Sequence, residues 1–131
     1  MLNVMKVFSF IVFSMAIGTL AWAGNDPSIK DKQRSDIQSA MANHVVNTQK
    51  GGVYLHYDPV AGKLKKLKLK KLHSGIVRKG DFFVSCADFT DTNGKLYDLD
   101  FLVLEKNGKY MVNQSIVHAV EEVKRPYQVE N

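Results

Sequence analysis

Between residues 28 and 48 the apolar positions recur every three or four residues. Ile37, Met41, Val45 and Thr48 fall on one stripe with Ala40 and His44 beside it, while Lys30, Lys32, Arg34 and Asp36 lie largely elsewhere. This spacing predicts one amphipathic helix of about 20 residues. Ser28, with Asp31 three residues on, supplies the start signal. Gly51-Gly52 supplies the stop, because glycine accepts the left-handed conformation at a helix end. After Gly52 the period changes from 3.6 to 2. Strands are expected over 53–57, 64–77 (interrupted near Gly75), 82–90, 96–105 and 110–120. Asp58-Pro59-Val60-Ala61-Gly62, Arg78-Lys79-Gly80-Asp81, Asp91-Thr92-Asn93-Gly94 and Lys106-Asn107-Gly108-Lys109 are the turns between them. The two Asn-Gly pairs are hairpin signals. No connection is long enough for a helical crossover, so the strands form an antiparallel meander. The expected fold class is α+β: one N-terminal amphipathic helix packed on a four- to five-stranded antiparallel sheet.

The start of the chain has a different pattern. Lys6 precedes an uncharged apolar run over 7–20, and Ala21-Trp22-Ala23 places small residues at −3 and −1 of a cleavage point before Gly24. This is the layout of a secretory signal peptide, and a run of about 14 residues is shorter than a membrane span of roughly 20. The expected organisation is a leader over 1–23, a flexible lead over 24–27, one domain over 28–120 and a tail over 121–131 containing Pro126. The expected location is secreted or periplasmic, with no transmembrane span in the mature chain.

Without Lys6 the mature chain has 17 basic and 13 acidic residues, a net charge of +4. The charge is unevenly spread. Residues 50–81 hold nine basic and two acidic side chains, and residues 88–105 hold five acidic ones and one lysine. The loudest signal is Lys63-Leu64-Lys65-Lys66-Leu67-Lys68-Leu69-Lys70-Lys71. Its leucines fit no single helical stripe, and a strand with a bulge accommodates them better. Lys66, Lys68 and Lys70 would then line one face and bind an anionic polymer or a component of the cell envelope. Nucleic acid is the poorest of such partners, because the chain is exported and the run has no interleaved aromatics on which bases stack. The plainer account of these lysines is an edge that resists aggregation.

If Asn93-Gly94 and Asn107-Gly108 are both two-residue hairpin tips, Cys86 faces the 99–101 region, Asp88 faces Tyr97 or Leu99, Val103 pairs with Val112, and Tyr97 pairs with His118. One face then carries Phe82, Val84, Cys86, Asp88, Tyr97, Leu99, Phe101, Val103, Val112, Gln114, Ile116 and His118, and packs on the helix. At its end Asp88, Tyr97 and His118 come together. A carboxylate that orients an imidazole, beside a tyrosine hydroxyl, suits proton transfer or ligand binding, and equally suits a silent buried network. Asp98 and Asp100 fall on the opposite face with Asn113 and Ser115, as a solvated acidic stripe. Phe83, Phe89 and Leu102 are left outside the core. The one cysteine, Cys86, excludes an internal disulfide and reads as a small buried hydrophobe. No zinc spacing, calcium loop, phosphate loop or nucleophile elbow occurs, so no metal or cofactor is expected.

One long helix followed by an antiparallel meander resembles the cystatin-like and NTF2-like architecture, in which a curved sheet wraps the helix. The resemblance covers the order and length of elements over 28–120. Cystatin inhibitors carry a Gln-x-Val-x-Gly hairpin. Gln49-Lys50-Gly51-Gly52-Val53 lacks that spacing, so protease inhibition is not implied. NTF2-like enzymes place an acid and a tyrosine in a concave pocket, the role that Asp88, Tyr97 and His118 would take here. Three roles follow: a non-enzymatic exported binding module, a small enzyme or ligand pocket, and an accessory subunit of a cell-envelope assembly. Composition and motifs favour the first. Export is tested by N-terminal sequencing of the expressed protein, which should read Gly-Asn-Asp-Pro; an intact Met1 on membrane-bound protein would contradict it.

Overall fold

The computed structural model describes residues 24–127 and 129, and the expected leader over 1–23 lies outside them. Helix α1 spans Asp31–Thr48. Six strands follow: β1 Tyr54–Asp58, β2 Lys63–Lys79, β3 Phe82–Thr90, β4 Leu96–Lys106, β5 Lys109–Val120 and β6 Val123–Lys124. They form one sheet in chain order, β1 to β6, and every neighbouring pair is antiparallel. The α+β class holds, with six strands rather than four to five. The extra strand comes from the expected tail. Val120 and Val123 pair across Glu121 and Glu122, which both take positive φ (49° and 66°). No helix among the described residues is long and apolar enough to cross a membrane.

The helix starts later than Ser28. The Ser28 amide and hydroxyl both donate to Asp26 Oδ1, at 2.9 and 2.7 Å. That diverts the expected cap, and the helix begins without a side-chain cap. Gly51-Gly52 acts one step beyond a helix stop. With φ of +60° and +78°, the two glycines form a tight turn that lets Lys50 and Val53 exchange backbone hydrogen bonds of 2.9 and 3.2 Å. Such a turn needs two left-handed residues in a row.

Ile37, Met41 and Val45 are the buried face of α1, spaced by four as the sequence pattern requires. They pack on Phe83, Ala87, Phe89, Leu99, Phe101, Val103 and Val117, all buried. The sheet curls around the helix so far that β1 meets β5. Tyr54 Oη lies 2.9 Å from Ser115 Oγ, and the Arg125 guanidinium just past β6 is ion-paired with the fully buried Asp58.

The inner face of β3 differs from expectation. Asp91–Lys95 is a longer loop than a two-residue tip. The Asp91 amide donates to the Lys95 carbonyl at 2.9 Å, the Gly94 amide to the Asp91 carbonyl at 3.0 Å, and Gly94 has φ +78°. This is a type I turn closed by a left-handed residue. Asp91 Oδ1 also accepts the amides of Asn93 and Lys95, each at 2.8 Å. Thr90 therefore pairs with Leu96, Phe89 with Tyr97, and Asp88 with Asp98. The shift of one residue exchanges the faces of β3. Phe83 and Phe89, expected outside, are core residues at 1% and 0% exposure. Phe82, Val84, Cys86 and Asp88, expected inside, lie on the outer face with Asp98, Asp100, Leu102 and Leu104 opposite them.

The Asn107-Gly108 hairpin is a two-residue turn, and Val103 pairs with Val112 as expected. Two register shifts in β4–β5 then move Ser115 opposite Phe101 and Tyr97 opposite Val120. Phe89→Ala should cost about 3–5 kcal/mol of stability, while Thr90→Ala, one residue on, should cost under about 1 kcal/mol. Urea unfolding of the two variants measures this, and a reversed order would invert the face assignment of β3.

Candidate functional site

The register brings six chemistry-bearing side chains to the outer face of the sheet. Cys86 stands opposite Asp100, and Asp88 opposite Asp98, on β3 and β4. His118 reaches in from β5 and His73 from β2. Cys86 Sγ lies 2.9 Å from Asp100 Oδ1, and His118 Nδ1 lies 3.0 Å from Asp100 Oδ2. Asp100 thus accepts from thiol and imidazole at once, at 1% exposure. His73 Nε2 lies 2.9 Å from Asp88 Oδ1.

His73 arrives there through a local irregularity. Leu72 pairs with Ala87, but the next pair is Ile76 with Ser85. Three residues of β2, His73, Ser74 and Gly75, therefore oppose Cys86 alone. The interruption expected near Gly75 is this bulge. The Ser74 carbonyl accepts from Arg34 Nη1 and from Gln38 Nε2 of the helix. Arg34 also donates from Nε to the Ile29 carbonyl at 2.7 Å and from Nη2 to Asn25 Oδ1 at 2.7 Å. One guanidinium therefore ties the lead, the helix and the bulge together. A cleft of about 250 Å³ beside the bulge is lined by Gln38, Met41, Leu72, His73, Ser74 and Ser85.

Of the trio Asp88, Tyr97 and His118, the structure keeps two on one face. Tyr97 pairs with Phe89 and is buried in the inner core, with Lys65 Nζ 5.7 Å from its ring centroid. It cannot act with Asp88 or His118 through the sheet. Asp98 and Asp100 are not a solvated stripe with Ser115 and Asn113. Ser115 belongs to the inner side, Asn113 is exposed, and the two aspartates close the buried cluster. Sequence reasoning missed His73, because only the bulge carries it to this row. Burial pushes the Asp98 carboxyl up to about 6; His73 and His118 pull against that shift, and Asp100 and Asp88 add to it. Asp98 Oδ1 and His73 Nδ1 are both buried with no hydrogen-bond partner.

The lysine run lies on the first half of β2. Leu67 pairs with Tyr54 and is buried, so its neighbours Lys66 and Lys68 face outward. The expected bulge occurs between Leu69 and Lys71. It breaks the alternation at Lys70 and gives Lys71, opposite Asp88, the next outer-face position.

A second polar network lies inside the curl. His44 Nε2 is 3.2 Å from Tyr54 Oη, and His56 Nδ1 is 3.0 Å from Ser115 Oγ, which also meets Tyr54 Oη. Burial holds both histidines below their ordinary value and raises Tyr54.

Compared with known proteins, the chain matches no family model, no curated sequence and no solved structure.

The histidine shifts carry a sign. His44 and His56 are depressed in the fold, so the unfolded chain takes up protons first as pH falls. Their contribution is complete above their unfolded value and is lost as pH falls through the folded one. Asp98 acts in the opposite sense, so the test compares a variant with wild type. Relative to wild type, His56→Gln should gain stability as pH drops from about 7 to about 5. Urea midpoints across that range measure it, and parallel profiles would remove His56 as a contributor.

Proposed function

We propose that the protein is an exported binding module that holds an anionic polymer or anionic cell-envelope component on the lysines of β2. The observation that carries this reading is an uncompensated basic strip. Lys63, Lys66, Lys68, Lys70 and Lys71 are exposed, and none of them is ion-paired among the described residues. The strip also has an open side. β1 pairs only with Lys63–Leu67 of β2, and β3 takes over from Lys68 onward. Past Leu67 the side of β2 away from β3 has no strand among the described residues. Charged side chains crowded on one segment raise the local concentration of an anion and orient it. The leader-like pattern over 1–23 supports a location for this surface outside the cytoplasm.

The architecture supports a cystatin-like or NTF2-like assignment by element order and by the curl of the sheet around its helix. The enzyme reading loses its support, because Tyr97 is separated from Asp88 and His118 by the thickness of the sheet.

Exposed charges are screened over about 8 Å at physiological ionic strength, so such binding weakens as salt rises. On heparin-type resin a Lys66, Lys68, Lys70 triple Glu variant should elute well before a control with Lys106, Lys109 and Lys124 changed to Glu. The control has the same net charge, and its three lysines are also exposed. Equal elution of the two variants would leave the strip as a device for solubility.

A further inference from the structure

We propose that the outer face of the sheet holds a Zn²⁺-type transition-metal site whose ligands are His73, Cys86 and Asp98. The ligand atoms of these three residues all lie within 4.8 Å of one another. They come from three adjacent strands, β2, β3 and β4, and from residues far apart in sequence. The juxtaposition is therefore a product of the fold rather than of a local loop.

The state of the donor atoms is the second observation. His73 Nε2 is engaged by Asp88 Oδ1 at 2.9 Å, and in the neutral ring this puts the proton on Nε2 and the lone pair on Nδ1. Nδ1 is buried with no hydrogen-bond partner, and so is Asp98 Oδ1. Two buried lone pairs with no donor, beside a thiol, are the arrangement that a cation satisfies. A buried acceptor left unmet is otherwise a cost to the fold.

The surroundings match what metal ligands require. A ligating histidine commonly gives its other N–H to a carboxylate, which fixes the ring and raises its basicity. Asp88 does this for His73. In the unloaded site Asp100 accepts from the Cys86 thiol, and His118 Nδ1 lies 3.0 Å from its other oxygen. Cys86, Asp98, Asp100 and His118 are buried or partly buried, while the His73 and Asp88 side chains are 18% and 23% exposed. The row is thus reached from the β2 side.

The donor set selects the metal. One thiolate, one imidazole and one carboxylate suit Zn²⁺ and its neighbours, whereas Ca²⁺ and Mg²⁺ take oxygen ligands in greater number. Bonds of about 2.0–2.3 Å in a tetrahedron hold donors roughly 3.3–3.8 Å apart. The three atoms therefore close by at most about 1.5 Å on loading, a side-chain adjustment. Loading displaces the Cys86 thiol proton to solvent, breaks its hydrogen bond to Asp100 and forms the metal–sulfur bond. Three protein ligands leave a fourth position open to water or a small anion. This site is independent of the lysine strip, which Lys71 brings to its border opposite Asp88.

Co²⁺ is the direct probe, because thiolate-bound cobalt absorbs by charge transfer in the near ultraviolet and Zn²⁺ is silent. Titration of the purified, reduced chain with Co²⁺ should give that absorption at one metal per chain, and Zn²⁺ should abolish it. Cys86→Ser should remove the absorption with the circular dichroism unchanged. His73→Gln and Asp98→Asn should each weaken Zn²⁺ at least tenfold by calorimetry. Asp88→Asn, which removes the carboxylate that holds His73 Nε2, should weaken it by about 10–100-fold. Should Cys86→Ser unfold the chain, the calorimetric comparison of wild type with His73→Gln and Asp88→Asn decides alone. Absence of the cobalt absorption from the wild-type chain at millimolar metal would overturn the site. So would affinity unchanged by His73→Gln and Asp98→Asn.

Discussion

The faces of the sheet depend on how Asp91 closes the β3–β4 hairpin. Its backbone and carboxylate together accept or donate four hydrogen bonds within the loop, and Gly94 supplies the one left-handed residue the closure needs. A two-residue tip would have paired Asp88 with Leu99. The longer loop pairs it with Asp98. Because strand side chains alternate with period two, this single step decides the face of every residue of β3. It puts Phe83 and Phe89 in the core and delivers Cys86 and Asp88 to the polar row outside.

The curl of the sheet is the second constraint, and it is polar where the core is apolar. Tyr54, His44, His56 and Ser115 link the helix, β1 and β5 by hydrogen bonds, while Arg125 closes on the buried Asp58. A buried carboxylate without its guanidinium is costly, so Arg125, just past β6, is part of what holds the fold closed. Tyr54 also stacks on Phe89, with ring centroids 5.4 Å apart. One residue thus joins the apolar core to the polar seam.

The outer face combines two features that a purely structural sheet does not need. One is a row of buried acids, imidazoles and a thiol. The other is a basic segment whose exposed lysines have no ion pair among the described residues. They meet at Lys71 and Asp88. The bulge at His73–Gly75 creates the first, and the bulge at Lys70 shapes the second. Bulges of this kind re-aim side chains, and the Arg34 guanidinium braces the larger one from the helix side.

Periodicity alone located the helix, the five longer strands, the Asn107-Gly108 turn with its Val103–Val112 pair, and the break in β2. These follow from short-range rules: spacing of apolar residues, left-handed glycines, and turn dipeptides. The faces of β3 were beyond such rules. Phe82-Phe83-Val84-Ser85-Cys86-Ala87 is apolar or small at both odd and even positions, so alternation cannot say which set is inside. The loop alone had to decide, and Asn93-Gly94 is compatible with more than one closure. The register shifts in β5, the pairing of β6 through two left-handed glutamates, and the arrival of His73 beside Cys86 and Asp98 are set by how neighbouring strands pair and not by the pattern within any one of them. Asp88 and His118 were legible as chemistry, but their companions were decided by tertiary structure, because a one-residue slip in one strand changes which side chains share a face.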